Sequence, residues 1–278
     1  MSRASLSEGA IHCRDLVRKT DPDRLLLAEL APVERRPALW ALAAFNWEVA
    51  RIPERVSEPM LGAIRRQWWR DAWGEIADGK PRRHPVVEAL AEAHARTPFD
   101  LAVVEALLQA RDVEHDGPPA DLAALLEQAE QIGGGMARLE AVALGHMGLE
   151  AAARVGSAAR VGAAWMLIGS LRGLPHMLQR GRHQLPESLL AERELRLDRL
   201  DAASPAPEFT GLIDTIAQTA DDRLTEAKGL PPLFRGYRRL ALLYRRRLRA
   251  AGNNPFDVRI NAPTLGRAWQ VARVRMGL

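Results

Sequence analysis

Arg172 and His176 stand four residues apart, and Arg180 and Arg182 follow within the next dozen positions. Residues four apart share one face of a helix. Arg172 and His176 could therefore hold a phosphate or carboxylate directly, through charge-assisted hydrogen bonds and without a metal. No Asp or Glu occurs anywhere in residues 151–186 to neutralise them from within. The nearest matching acids in the argument are Glu48 and Glu54, which flank Arg51 and follow Trp47. Two readings of Arg172 stand side by side: it binds an anionic ligand, or it pairs with an acid from another helix, such as Glu48 or Glu54, as a structural bridge. Arg180 and Arg182 sit beside Gly181 and read first as solvated loop residues.

Other clusters promise less. His176 and His183 lack a third ligand at metal spacing, and the surrounding cations oppose a metal. His12, His84, His94, His115 and His146 form no cluster in sequence. Gly133, Gly134 and Gly135 have no strand before them and no Gly-Lys-Ser/Thr after them, so close helix packing or a kink is expected rather than a phosphate loop. Asp222 and Glu226 are four apart, but Arg223 intervenes and no partner motif is visible, so a solvated face is expected. In residues 237–249, Leu240, Leu243, Tyr244 and Leu248 are expected to face inward. Arg238, Arg239, Arg245, Arg246 and Arg249 are expected to stay in water. A basic face of that kind attracts anionic lipid by about 1 kcal/mol per residue near the surface. No nucleic-acid motif accompanies it, and no nucleic-acid partner is expected. Trp40, Trp47, Trp68, Trp69, Trp73 and Trp165 are read as core, with a lipid-binding tunnel lined by aromatics as the sharper alternative.

The elements that must position these residues are helical. Alanine- and leucine-rich segments recur at helical spacing, and no alternating strand pattern appears. Helices are expected at about 8–19, 22–31, 36–53, 58–78, 85–96, 98–113, 120–147, 150–178, 207–228, 232–251 and 263–276, with residues 192–206 an exposed connection. Asp21-Pro22, Ser57-Glu58-Pro59 and Thr97-Pro98 are the expected helix openings. With 278 residues, 47% of them apolar, the chain is expected to form one all-α domain. The single cysteine, Cys13, reads as a core residue and points to a reducing compartment. Met1–Ala10 lacks an apolar run, and no stretch approaches the ~20 apolar residues of a membrane span. The expectation is a cytoplasmic protein, soluble or peripheral at the inner face of the membrane. The net charge is +4, and the only lysines are Lys19, Lys80 and Lys228, a bias that base composition explains as readily as function.

Two segments resemble the squalene/phytoene synthase family. The first is Ala44-Phe45-Asn46-Trp47-Glu48-Val49-Ala50-Arg51-Ile52-Pro53-Glu54, followed by Gln67-Trp68-Trp69-Arg70-Asp71. The second is Leu171-Arg172-Gly173-Leu174-Pro175-His176-Met177, followed by Arg180-Gly181-Arg182-His183-Gln184-Leu185-Pro186. The resemblance spans about 15–265 and implies an isoprenoid-synthase type of helical bundle around a central cavity. It also implies head-to-head joining of two prenyl diphosphates, with magnesium held by two pairs of aspartates four residues apart. In this chain those four positions are Ala50, Glu54, Gly173 and Met177, and the family's arginine position is Trp47. Removing three of four acids is expected to abolish magnesium binding, so no cofactor is expected. The pattern is closer to a subgroup that includes the assembly factor of respiratory complex I than to the true synthases. That likeness implies a non-catalytic scaffold, with a respiratory-complex subunit, a prenyl or other lipid ligand, and an anionic membrane surface as expected partners. Trp47, Glu48, Arg51, Glu54, Gln67, Arg70, Arg172, His176, Arg180 and Arg182 are the candidate ligand-binding residues. The alternative is an active prenyltransferase in which arginines such as Arg51 and Arg172 hold the diphosphate.

Overall fold

A computed structural model describes residues 6–56, 58–146, 148, 151–262 and 265–278. The described residues form fourteen α-helices, and no strand occurs among them. They are α1 (Glu8–Thr20), α2 (Pro22–Ala28), α3 (Arg36–Ala50), α4 (Ile52–Arg55), α5 (Pro59–Ala77), α6 (Pro85–Arg96), α7 (Leu101–Asp116), α8 (Leu122–Ala129), α9 (Gly135–Ala143), α10 (Ala152–Leu178), α11 (Glu187–Glu192), α12 (Pro207–Glu226), α13 (Pro232–Ala250) and α14 (Leu265–Arg275).

Local chemistry explains most of the boundaries. Asp21 accepts a hydrogen bond from the Arg24 amide at 3.0 Å and caps α2, with Pro22 in the first turn. Asp121 caps α8 in the same way. The expected opening at Thr97-Pro98 is displaced: Asp100 accepts from the Ala102 amide at 2.9 Å and starts α7. The side chain of Thr97 instead receives the Arg35 guanidinium. Ser57 of the expected Ser57-Glu58-Pro59 opening lies outside the described residues.

The expected helix over 120–147 is interrupted. Glu130–Gly134 forms a π-helical turn between α8 and α9, and this turn packs against α10. A Cβ placed on Gly133 would come within 2.3 Å of the Gly162 carbonyl oxygen, and one on Gly162 within 2.2 Å of that of Gly133. The two backbones touch, so both positions need glycine. The glycine run is thus a close-packing device, and it sets the distance between the π turn and the middle of α10.

Helix α10 is the central element, packing on the π turn, α9, α12 and α13, while α3 packs on α1, α6 and α9. Phe45, Phe209, Phe234 and Tyr244 are fully buried in a core that runs continuously from Cys13 to Val271. Each contributes about 1.5–3 kcal/mol by leaving water. Phe45 of α3 meets Trp69 and Trp73 of α5 edge-on at 5.1 and 5.5 Å. Those two tryptophans, with Trp40, are core residues. Cys13 is also core, and burial pushes its thiol up to about 12.

One inward-outward expectation for α13 fails. Arg245 is buried rather than wet, because its guanidinium reaches Asp214 at 2.6 Å, Asp221 at 2.9 Å and Asn253 at 3.1 Å. Asp221 is therefore a structural partner of α13.

Candidate functional site

A cleft of about 320 Å³ opens where α2, α3, α7, the π turn, α9 and α10 converge. Its α10 wall is Trp165, Met166, Gly169, Ser170, Gly173 and Met177, a run at helical three- and four-residue steps. Asn46 and Ala50, four apart, present α3. Ile132, Gly133 and Met136 form another apolar side, and Asp21, Arg24, Arg111, Glu114 and Gln184 supply the polar groups. Ala50, Gly173 and Met177, the positions where the resemblance places aspartates, thus converge on one space. The geometry of a two-helix metal clamp survives without its ligands.

Every charge on the wall already has a protein partner. Arg24 bonds Glu140 at 2.5 Å and lies 3.3 Å from Asp21. The Tyr237 hydroxyl donates to the same Glu140 oxygen at 2.9 Å, and Tyr237 in turn meets the Trp165 ring edge-on. Burial raises the Glu140 carboxyl pKa and the attraction of Arg24 opposes that rise. Burial would lower the Arg24 pKa, but Tyr237, Glu140 and Asp21 together raise it. On α7, Arg111 pairs with Glu114 and donates to Asn46 at 3.0 Å. Gln184 donates to the Glu114 carbonyl at 3.1 Å. Two buried polar atoms of this wall lack a hydrogen-bond partner, the Arg111 Nε donor and the Gln184 Oε1 acceptor.

Behind Arg111, α5 and α7 are joined by ionic contacts. Arg66 binds Asp112 and lies 2.7 Å from His115 Nδ1, and Arg70 reaches Asp112 at 2.7 Å and Glu105 at 3.0 Å. Burial, then the charges of Arg111, Arg66 and Arg182, lower the His115 pKa to about 3. A neutral His115 can accept from Arg66 through Nδ1.

None of the ten residues chosen from sequence is among those forming the wall of this cleft. Arg51, Glu54, His176 and Arg180 come together where the ends of α3 and α10 meet. Arg51 pairs with Glu54 at 2.8 Å, His176 lies 3.7 Å from Glu54, and Arg180 lies 3.0 Å from His176. Trp47 sits between the guanidiniums of Arg51 and Arg55, at 5.1 and 4.8 Å. Arg172 does make a structural bridge, but to neither Glu48 nor Glu54. It lies 3.5 Å from Asp23, stacks 3.4 Å over the Tyr244 ring and donates to Asn261 at 2.9 Å. Tyr244 and Arg267 hold the same buried Asp23 at 2.6 and 3.1 Å.

Glu48 belongs to a separate depression with Arg55, Arg65, Trp68 and His84, 3.8 Å from His84 Nε2. Burial raises the Glu48 pKa and lowers that of His84. Gln67 donates to Asp71 on the surface, Arg70 is held by α7, and Arg182 stands close enough to His115 to act on it. Sequence reasoning missed Arg24, Arg111, Glu140 and Gln184. Asp21 drew notice only as a cap, and the Arg111–Glu114 spacing on an apolar helix was the one available signal.

The donor set does not fit magnesium. Hard cations need several oxygen ligands. Alanine, glycine and methionine at positions 50, 173 and 177 supply no side-chain oxygen, and Glu54 is tied to Arg51. Among the described residues, no group of three or more His, Cys, Asp or Glu is placed to hold a metal ion.

Comparison with known proteins agrees with this geometry. The squalene/phytoene synthase family profile matches residues 17–275. A relative from Bos taurus, "NADH dehydrogenase (ubiquinone) complex I, assembly factor 6", is 30% identical over 176 residues, 63% of this chain and 52% of its own. The protein of the same name from Homo sapiens is 36% identical over 85 residues, 31% of this chain and 26% of its own. The longest of these matches span about half the length of the curated relatives. Among solved structures, a dehydrosqualene synthase in complex with ligand superposes with a TM-score of 0.80 at 18% identity, covering 97% of this chain and 96% of that one. Squalene synthase HpnC from Alicyclobacillus acidocaldarius gives 0.75 at 18% identity, covering 89% and 95%. At such identity the structures establish the fold alone.

Proposed function

The chain belongs to the squalene/phytoene synthase family, and we propose that it is a non-catalytic member serving as an assembly factor, of the kind that acts on respiratory complex I. The observation that carries this reading is the convergence of Ala50, Gly173 and Met177 on one cleft that offers no metal ligand set. Ionising a prenyl diphosphate requires neutralising a leaving group of high charge, and the family's metals supply that. Here the cationic groups that could substitute are engaged: Arg51 with Glu54, Arg172 with Asp23, Arg24 with Glu140 and Arg111 with Glu114. Each of these four arginines would have to leave a carboxylate to serve the arginine-based prenyltransferase reading. The relatives named as complex I assembly factors support the scaffold reading.

The partner in this reading is a subunit of the respiratory complex. Contact with the membrane in this reading is peripheral, at its inner face; no helix among the described residues is long and apolar enough to cross it. Two exposed arginines of α13, Arg246 and Arg249, face anionic lipid in this account. The rim residues Trp47, Arg51, Glu54, His176 and Arg180 mark the entrance through which a lipid reaches the cleft.

Deleting the gene from the cells that carry it tests the reading. The expected result is less assembled complex I on native gels, with squalene-type products unchanged. Loss of such a product with complex I intact would overturn it.

A further inference from the structure

The cleft wall combines bulky apolar side chains with a balanced set of charges. Its charged residues are Asp21, Arg24, Arg111 and Glu114, two of each sign, and they are joined in pairs. A phosphate or diphosphate entering it would meet paired carboxylates as often as guanidiniums, in surroundings where an uncompensated charge is costly. The wall's bulky side chains are apolar, Ile132, Met136, Trp165, Met166 and Met177, and its uncharged polar residues are Asn46, Ser170 and Gln184. Among the wall residues, the Arg111 Nε–H and the Gln184 Oε1 have no hydrogen-bond partner; both atoms are buried, in residues only 7% exposed. One is a donor and the other an acceptor. A hydroxyl is the simplest uncharged group able to answer either kind of atom, accepting from a donor or donating to an acceptor.

From this we infer that the cleft binds an uncharged amphiphile, a hydroxyl-headed lipid, and selects against its phosphorylated form. The inference rests on the non-catalytic reading above and specifies the ligand class of the same site. The apolar tail lies along the α10 wall, where Gly169 and Gly173 leave it open: a Cβ added at either position meets nothing within 4 Å. That space lets the ligand be excluded without damage to the fold. Leucine at position 173 projects into the cleft while improving helix propensity at an interior site.

Isothermal titration of the full chain with 1-dodecanol and with dodecyl phosphate, each with and without magnesium, tests the proposal. These probes share a tail and differ in the head. The expected result is binding of dodecanol at least tenfold tighter than dodecyl phosphate, with no magnesium effect on either. Gly173→Leu should weaken dodecanol binding at least tenfold with no loss of thermal stability. Should that variant fail to fold, Gly169→Leu makes the same test. Gln184→Leu should weaken dodecanol several-fold and narrow its advantage over dodecyl phosphate. Equal or tighter binding of dodecyl phosphate, no dodecanol binding, or unchanged binding by folded Gly173→Leu and Gly169→Leu variants would each overturn the proposal. None of those outcomes touches the non-catalytic reading. That reading fails separately, if the protein releases pyrophosphate from farnesyl diphosphate in a magnesium-dependent manner.

Discussion

Gly162 and Gly173 lie on the same helix, eleven residues or about three turns apart, and do opposite things. At Gly162 the α10 backbone presses against the π turn so closely that a single methyl would strike a carbonyl oxygen at 2.2 Å. At Gly173 the same helix faces open space. The first glycine is there for contact, while the second stands where the family resemblance places a metal-binding aspartate. The contrast separates a position on which the packing depends from one on which it does not. At Gly162, α10 depends on backbone approach, whereas at Gly173 a side chain would disturb no neighbour.

The sharpest way to break that contrast is Gly162→Val. Backbone atoms, rather than a flexible side chain, block the new Cβ, so α10 and the π turn must separate. A loss of about 3 kcal/mol or more is expected, read from urea denaturation, and partial unfolding of the purified variant would agree. Wild-type stability in this variant would remove the packing half of the comparison.

Glu140→Ala comes next. It leaves Arg24 buried without its main partner and Tyr237 without an acceptor, behind the cleft rather than in it. About 3 kcal/mol of destabilisation is expected from the same measurement. Glu140→Gln, which keeps a hydrogen-bonding carbonyl, should cost less.

Acid titration separates the two halves differently. His115, on α7 behind the cleft, is held neutral to about pH 3 by burial and by Arg111, Arg66 and Arg182, whereas an unfolded histidine titrates near 6.5. Between those values the unfolded chain binds the extra proton, so acidification favours unfolding. Stability should therefore fall as pH drops from about 6.5 toward 3, with a slope below the one-proton limit of about 1.4 kcal/mol per pH unit because the residue is partly exposed. His115→Gln should flatten that limb in denaturation curves recorded at successive pH values. An unchanged slope would show that His115 titrates normally.

The smallest effect is expected at the open glycine. Gly173→Ala should raise the denaturation midpoint, by roughly 0.5–1 kcal/mol, since it improves helix propensity in free space. Destabilisation would mean that the cleft wall is more tightly packed at Gly173 than the structure places it.

Most of the fold was legible because helices are written locally. Asp21-Pro22, the alanine-leucine periodicity and the prolines at 85, 207 and 232 each mark a boundary within a few residues of themselves. The exceptions have local causes too: Asp100 outcompetes Thr97 as a cap, and the glycine run becomes a π turn only because Gly162 meets it. The site was half legible. Ala50, Glu54, Gly173 and Met177 could be picked out by resemblance, and their convergence is seen in the cleft. The charge pairing could not be read, because partners lie far apart in the chain: Arg24 and Glu140 are separated by 116 residues, Tyr244 and Asp23 by 221. Arg172 illustrates the limit. A structural bridge was one of its two expected roles, yet nothing near it in sequence pointed to Asp23. Arg245 was expected in water for the same reason, since its acids are on α12.

The central claim is that the family fold persists here without the family's metal-dependent chemistry. Pyrophosphate release by the purified chain, incubated with farnesyl or geranylgeranyl diphosphate and magnesium, tests it most directly. No release above the protein-free control is the predicted result. Sustained, magnesium-dependent turnover would contradict it and would mean that carboxylates outside positions 50, 173 and 177 had rebuilt a metal site.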